Sequence, residues 1–131
     1  MISAIANALT GLNAASRSLA GTAHNVAHYG AIGRLDDQAS AATRFRLFDT
    51  VNVPVAGGGV QVLQIERDPS AVPLYAPDSP FADPDGMVAL ANVDLASEIV
   101  NSITSSTLFM ANLQVMSTAE RMLGALLDRE T

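Results

Sequence analysis

Two histidines are spaced so that they could bind a metal ion together. His24 and His28 are four residues apart, which places them on one face of a helix, as in helical metal-binding pairs. A complete site needs a third ligand, and no carboxylate or further histidine stands nearby in the sequence to supply it. We therefore predict that both histidines are solvated or hydrogen-bonded, and no metal or cofactor is expected.

An acidic segment and a glycine run are the other candidates for chemistry. Asp83-Pro84-Asp85-Gly86 faintly resembles a calcium loop, but neither Asp78 nor Asp83 is followed by a glutamate at the twelfth position of such a loop. A turn with Asp first and Gly fourth explains the same residues. Gly57-Gly58-Gly59 precedes a predicted strand and has no following lysine, so we predict a turn there instead of a phosphate-binding loop. Nothing in these motifs predicts an enzyme.

The composition limits the classes of partner. The chain has 131 residues and a net charge of −6, and its 7 basic residues are all scattered arginines, so no nucleic-acid partner is expected. The absence of cysteine excludes disulfides and thiolate sites. The uncharged stretch 99–119 is too polar to insert into a membrane. Because the start lacks the pattern of a cleaved secretory signal, we expect any export to use another route.

The helix-breaking residues lie in the middle of the chain, which leaves both ends free to be helical. All prolines lie between residues 54 and 84, so we predict helices over 1–33 and 92–129, the second capped by Asn92 or Asp94. Each predicted helix carries a seam of mainly apolar or small residues at 3-4 spacing, which is typical of helices that pack side by side. The seams are Ile2, Ile5, Leu9, Leu12, Ser16, Leu19, Ala23, Val26 and Leu95, Ile99, Ser102, Ser106, Phe109, Leu113, Met116, Glu120, Leu123, Leu127.

The first helix has nearly uncharged faces. Arg17 is the one arginine or acidic residue in 1–33, so this helix could be packed from several sides in a crowded assembly. An ordinary amphipathic helix of a bundle explains the pattern equally well. The pattern alone leaves both interpretations open.

The middle of the chain predicts a small β region. Residues 51–55 and 60–65 alternate around the glycines as a β-hairpin, with Pro54 at an edge or bulge. Residues 34–50 are predicted as a surface loop or short helix. An irregular lobe over 68–86, anchored by Leu74, Tyr75 and Phe81, precedes a short strand at 87–90. The expected fold is a single domain, mainly α with a small β region, in which the terminal helices pack in a coiled-coil-like manner and the β-hairpin and an irregular Pro/Gly-rich lobe lie between them in the chain.

Both ends resemble the signatures of bacterial flagellar axial proteins, the rod, hook and hook-associated proteins. Residues 5–17 read IANALTGLNAASR and residues 23–28 read AHNVAH, while 92–101 read NVDLASEIVN and 110–123 read MANLQVMSTAERML. In the middle, Gly58-Gly59-Val60, Asp68-Pro69, Tyr75-Ala76-Pro77 and the segment 81–86 are similar to the proximal-rod members. The chain departs from the family pattern at His28, Gly30-Ala31-Ile32 and Thr107-Leu108-Phe109.

The resemblance implies a structural subunit of the proximal rod of the flagellar basal body. Such proteins pass through the flagellar type III apparatus, and their termini, disordered in the monomer, become packed helices in a hollow drive shaft that transmits torque for motility. The implied partners are other proximal and distal rod proteins, copies of itself, the MS ring and the export gate, and the implied location is the periplasmic rod. A soluble helical adaptor or regulator, or a divergent paralogue that does not assemble, are the alternatives.

The seams and the resemblance together give the candidate assembly residues. They are Ile5, Leu9, Leu12, Leu19, Asn25, Val26, Asn92, Val93, Leu95, Ile99, Phe109, Asn112, Leu113, Met116 and Leu123. No catalytic residue is implied.

Overall fold

A computed structural model describes residues 2–35 and 46–128, and it is mainly helical with small β regions. The elements are α1 (Ile2–Ala27), β1 (Ile32–Gly33), β2 (Phe48–Pro54), β3 (Val60–Glu66), β4 (Ala71–Tyr75), β5 (Met87–Ala91) and α2 (Leu95–Leu127). The chain divides into two compact units. We call Met1–Ala20, Thr50–Leu63 and Asn101–Thr131 the helical unit, and Gly21–Asp49 with Gln64–Val100 the sheet unit.

Helix α1 ends at Ala27, earlier than the predicted boundary at residue 33. The chain turns at Gly30, which has a φ of 75° in the left-handed region where glycine is favoured. Beyond the turn, Ile32 and Gly33 form β1 and pair with β5. The end of the predicted helix was wrong because this strand pairing replaces helical hydrogen bonds.

Helix α2 begins immediately after Asp94, which is its N-cap. Oδ1 of Asp94 accepts a hydrogen bond from the backbone N–H of Ala96 at 3.1 Å, and Oδ2 accepts one from the Ser97 hydroxyl at 2.6 Å. The Ser97 bond, followed by the backbone bonds, lowers the pKa of Asp94 below its ordinary value. Of the two predicted caps, Asp94 is confirmed. Neither described helix has an apolar stretch long enough to span a membrane.

The predicted hairpin is confirmed, with β2 and β3 forming a two-stranded sheet. Its turn contains Gly57, Gly58 and Gly59 with φ of 97°, 101° and 91°, and Pro54 is the last residue of β2. The turn lies against α1 within the helical unit: a Cβ on Gly59 would lie 2.5 Å from Oγ1 of Thr10. That hydroxyl accepts the Val60 N–H at 3.2 Å, so the turn leaves no room for a side chain at residue 59.

The N-terminal boundary of the hairpin differs from the prediction. Strand β2 starts at Phe48, so the loop or short helix predicted over 34–50 is wrong at its end, and residues 36–45 lie outside the described part of the chain. Leu47, immediately before the strand, is completely buried. Its burial ties the start of the hairpin to the core of the sheet unit.

The sheet unit contains an antiparallel sheet in the order β1-β5-β4. Strand β5 was predicted, whereas β4 falls in the segment predicted to be irregular; Leu74 pairs with Val88 in the register. The predicted anchors Leu74, Tyr75 and Phe81 are exposed, Tyr75 by 68%. That prediction was wrong because small residues fill the core beside one large one, as in the buried cluster Leu47, Ala89 and Ala91.

Several members of the predicted helical seams are exposed, and the residue before them is buried or half-buried instead. The buried or half-buried positions that keep a 3-4 spacing are Ile5, Ala8, Leu12, Ala15, Leu19, Thr22 and Asn25 in α1 and Leu95, Glu98, Ser102, Ser105, Phe109, Asn112, Met116 and Ala119 in α2. Further buried or half-buried positions beside them are Thr10, Gly11, Ala14, Ser18, Gly21 and His24 in α1 and Thr118 in α2. The predicted members that are exposed are Ile2, Leu9, Ser16, Ala23, Val26, Ile99, Ser106, Leu113, Glu120, Leu123 and Leu127. Both sets obey a 3-4 spacing, so periodicity alone did not distinguish them.

A glycine in α1 allows close approach of the two helices. In the helical unit, a Cβ on Gly11 would lie only 2.6 Å from Oδ1 of Asn112. Larger side chains such as Leu9 and Leu113 would not fit this spacing, and they lie on the exposed side. The most buried side chains between the helices are therefore mainly small, and many larger apolar residues remain available at the surface.

Candidate functional site

A polar cluster, buried at two of its residues, connects four separate segments of the sheet unit. We use this name for Asn25 at the end of α1, Asp49 in β2, Arg67 just after β3, and Glu98 in the first turn of α2. Asn25 is 1% exposed and Glu98 is 2% exposed. Burial of this kind requires that each polar group has a partner.

Asn25 uses both ends of its amide. Its Nδ2 donates to Oε1 of Glu98 at 2.8 Å and to the carbonyl oxygen of Phe48 at 2.7 Å. Its Oδ1 accepts the Phe48 N–H at 3.0 Å. The side chain thereby replaces a missing strand neighbour for Phe48 and contacts α2 at the same time.

Arg67 neutralises the acidic side of the cluster. Its guanidinium donates to Oδ1 of Asp49 at 2.6 Å and to Oε1 of Glu98 at 2.9 Å, and it also donates to the carbonyl oxygen of Asn92 at 3.0 Å. The bond to Asp49, together with that to Glu98, outweighs partial burial and raises the pKa of Arg67. The guanidinium therefore remains charged, and the buried carboxylate of Glu98 stays compensated.

The two histidines are hydrogen-bonded, as predicted. Nε2 of His24 donates to the carbonyl oxygen of Arg46 at 2.7 Å, and Nδ1 of His28 donates to that of His24 at 2.9 Å. The rings lie 4.5 Å apart. Within residues 2–35 and 46–128, no three side chains of His, Asp or Glu come together as a metal site would require.

The acidic segment forms the predicted turn. Oδ1 of Asp83 accepts the N–H groups of Asp85 and Met87, and the Asp83 carbonyl oxygen accepts the Gly86 N–H at 3.0 Å. Gly86 has a φ of 77°, which explains glycine at the fourth position. Oδ1 and the carbonyl oxygen of Asp83 are therefore used by the turn's own backbone.

Helix α2 exposes an unusual amount of apolar side chain. Ile103 is 62% exposed and Met110 is 64% exposed, although both lie in the middle of the helix. The large exposed apolar residues of α2 are Ile99, Val100, Ile103, Leu108, Met110, Leu113, Val115, Met122, Leu123, Leu126 and Leu127. A soluble monomer rarely leaves so many apolar residues of one helix uncovered, and such surfaces mark interaction sites.

The candidate assembly residues fall into three groups. Leu12 and Asn25 are buried within the chain. Those that are half-buried are Ile5, Leu19, Asn92, Val93, Leu95, Phe109, Asn112 and Met116, and those that are exposed are Leu9, Val26, Ile99, Leu113 and Leu123. The exposed group is open to a neighbour, whereas Asn25 is fully engaged inside its own chain.

Comparison with known proteins gives one consistent family. Residues 85–129 match the family model for the C-terminal region of flagellar basal body rod FlgEFG proteins. The flagellar basal-body rod protein FlgC of Yersinia enterocolitica is 33% identical over 113 residues, covering 86% of this chain and 84% of the relative. FlgC of Salmonella typhimurium is 33% identical over 114 residues with the same coverage, and FlgC of Buchnera aphidicola is 37% identical over 67 residues, about half of each chain. The chain therefore belongs to the flagellar basal-body rod protein family, whose members are structural proteins of the rod and not enzymes.

Proposed function

We propose that this chain is a subunit of the proximal rod that polymerises through the exposed apolar residues of its two terminal helices. The observation that carries the proposal is the exposure of large side chains along α2, such as Ile103 and Met110, in a chain of this family. Coiled-coil-like packing against the helices of neighbouring subunits would cover them. The rod formed in this way is the hollow, torque-transmitting shaft of the motor.

The energetics favour assembly. Full burial of one large apolar side chain contributes roughly 1.5–3 kcal/mol, and α2 offers many such side chains. Ordering a helix costs on the order of 1 kcal/mol or more per residue, which burial of mainly small side chains offsets poorly. Contacts with several neighbours would supply the missing stabilisation, and the same burial makes the shaft stiff.

The proposed neighbours are copies of this chain and the other proteins of the proximal and distal rod. Contacts with the MS ring and the export gate, and passage through the flagellar type III apparatus, complete the proposal. They are supported by the family membership and by the resemblance of both chain ends to axial-protein signatures.

A helical adaptor is the second candidate, because the two helices also contact each other within one chain. Gly11 lies against Asn112, and Leu12 and Ala119 are buried. If this contact sufficed for a stable hairpin, the exposed apolar residues would not need a helical assembly.

The two candidates are separated by charging the exposed face of α2. In cells carrying the variant gene in place of the original, we expect Ile103→Asp or Met110→Asp to abolish motility and rod incorporation. The free energy of unfolding of the free chain should change by less than about 0.5 kcal/mol, because both side chains are already exposed. Gln114→Asp, which adds the same charge at an exposed polar position, is the control and should retain motility. Normal rod incorporation of Ile103→Asp and Met110→Asp would contradict the proposal.

A further inference from the structure

We propose that the polar cluster fixes the end of α1 and the start of α2 in the free chain, before any neighbour is present. Only the outer parts of the helices, 2–20 and 101–127, would then need contacts with other subunits to become stably ordered. The inference deepens the proposed function and rests on it for the role of those outer parts. It makes Asn25, Arg67 and Glu98 positioning residues rather than contacts between subunits.

Three segments that are distant in the sequence meet at the polar cluster. Asn25, Arg67 and Glu98 belong to α1, to the segment after β3 and to α2, and both Asn25 and Arg67 donate to the same atom, Oε1 of Glu98. Separating α1 would remove the amide donor from the buried carboxylate of Glu98, and separating the segment of Arg67 would remove its counter-charge. The three segments therefore have to be ordered together.

Asn25 makes hydrogen bonds that need both a donor and an acceptor in its side chain. Its position needs a donor toward Glu98 and the Phe48 carbonyl, and an acceptor toward the Phe48 N–H. The carboxylate of an aspartate at this position would face the carboxylate of Glu98 and a carbonyl oxygen with no donor of its own. The charged groups around it are Glu98 on α2, Asp49 on β2 and Arg67 after β3, with His24 one residue before it on α1.

The outer parts of the helices are packed differently from their inner ends. Around Gly11 the buried side chains include small ones such as Ala8 and Ala15 together with one leucine, Leu12. Other large apolar residues, such as Leu9, lie on the exposed side. Small side chains bury little apolar area and contribute correspondingly little stability. The directional bonds of the polar cluster give the inner ends a defined position that the outer parts lack.

The experiment is hydrogen exchange of the full, free chain, read in peptides covering 21–35 and 92–104. At pH 7.5, Asn25→Asp should increase exchange, corrected for intrinsic rate, by more than about tenfold in both peptides, because two carboxylates then face each other in a buried site. At pH 5.0 most of that increase should disappear, since one carboxyl group takes up a proton and becomes the missing donor. Asn101→Asp, an exposed position on α2, should match the wild type at both pH values.

A second variant keeps the test decisive if Asn25→Asp fails to fold. Asn25→Asp combined with Glu98→Gln exchanges acid and amide between the helices. The amide introduced at position 98 then donates to the carboxylate introduced at position 25, so this pair should recover protection at pH 7.5. The proposal is overturned if Asn25→Asp behaves like Asn101→Asp, if its effect is the same at pH 5.0, or if the exchanged pair is no better protected than Asn25→Asp. Each result is read in the free chain, so it is independent of whether Ile103→Asp blocks rod incorporation.

Discussion

The segments of the helical unit and those of the sheet unit are held together by different interactions. The largest fully buried side chains, Leu47, Val88 and Asn25, belong to the sheet unit, and the polar cluster adds directional bonds there. In the helical unit the buried side chains include Ala8, Ala15 and Ala119, while large residues such as Ile103 are exposed. The difference shows that one unit is completed largely within the chain, and that the other keeps its larger apolar residues for neighbours.

The largest expected effect follows from truncating a buried side chain in the core of the sheet unit. Leu47→Ala should lower the free energy of unfolding by about 2–5 kcal/mol, because Leu47 is completely buried and its removal leaves a cavity. Leu9→Ala, at a residue 50% exposed in the helical unit, is the matched control and should cost about 0.5 kcal/mol or less. Urea denaturation of the free chain measures both, and equal losses would remove the contrast between the units.

A smaller effect is expected where the helices come closest. Gly11→Ala should destabilise the helical unit by about 1 kcal/mol, because the added Cβ overlaps the Asn112 side chain and this outweighs the gain in helix propensity. Gly124→Ala is the control: nothing lies within 4 Å of its added Cβ, so it should stabilise the chain by about 0.5–1 kcal/mol.

Removing the Asn112 side chain tests whether it causes the loss of stability in Gly11→Ala. In an Asn112→Ala background, Gly11→Ala should become stabilising, since the Cβ then meets no side chain of residue 112. The three variants are compared by thermal unfolding monitored by circular dichroism. A destabilising Gly11→Ala in that background would show that the close approach to Asn112 is not the cause.

The smallest expected effect is the acid dependence of the N-cap of α2. The pKa of Asp94 is lowered in the folded chain, so between the folded and unfolded values the unfolded chain binds more protons and stability rises with pH. The contribution is complete above about pH 3.9 and is lost as the pH falls through the folded value. The urea midpoint of wild type minus that of Asp94→Asn should thus be constant from pH 6 to about pH 4.5 and decline below about pH 4. A difference that is independent of pH down to about 2.5 would exclude this role for the Asp94 carboxylate.

The sequence was sufficient where the signals are local. Proline and glycine placement located the hairpin and its three-glycine turn and left both chain ends helical, and Asp94 was visible as a cap. These features depend on backbone preferences of a few adjacent residues. The early end of α1 was missed because pairing of β1 with β5, a distant partner, overrides local helix propensity.

The sequence was insufficient where distant segments meet. Size favoured Leu9 and Ile99 as seam members, but the residue before each of them is buried instead. Close packing selects Ala8, and the hydrogen bonds from Asn25 and Arg67 select Glu98. Arg67 and Asp49 carry no local signal of their role, because their partners lie elsewhere in the chain. A charged residue at a seam position, as Glu98 is, was the available clue that a buried partner must exist.

The most direct test of the account is limited proteolysis of the purified full chain with a protease of broad specificity, read by mass spectrometry. We predict that the first cuts fall within residues 2–20 and 101–127, and that the β strands of the sheet unit resist, because the outer parts of the helices are stabilised mainly by neighbours. Uniform resistance of the whole chain would contradict the account. It would show that the two helices already satisfy each other, as in a helical adaptor.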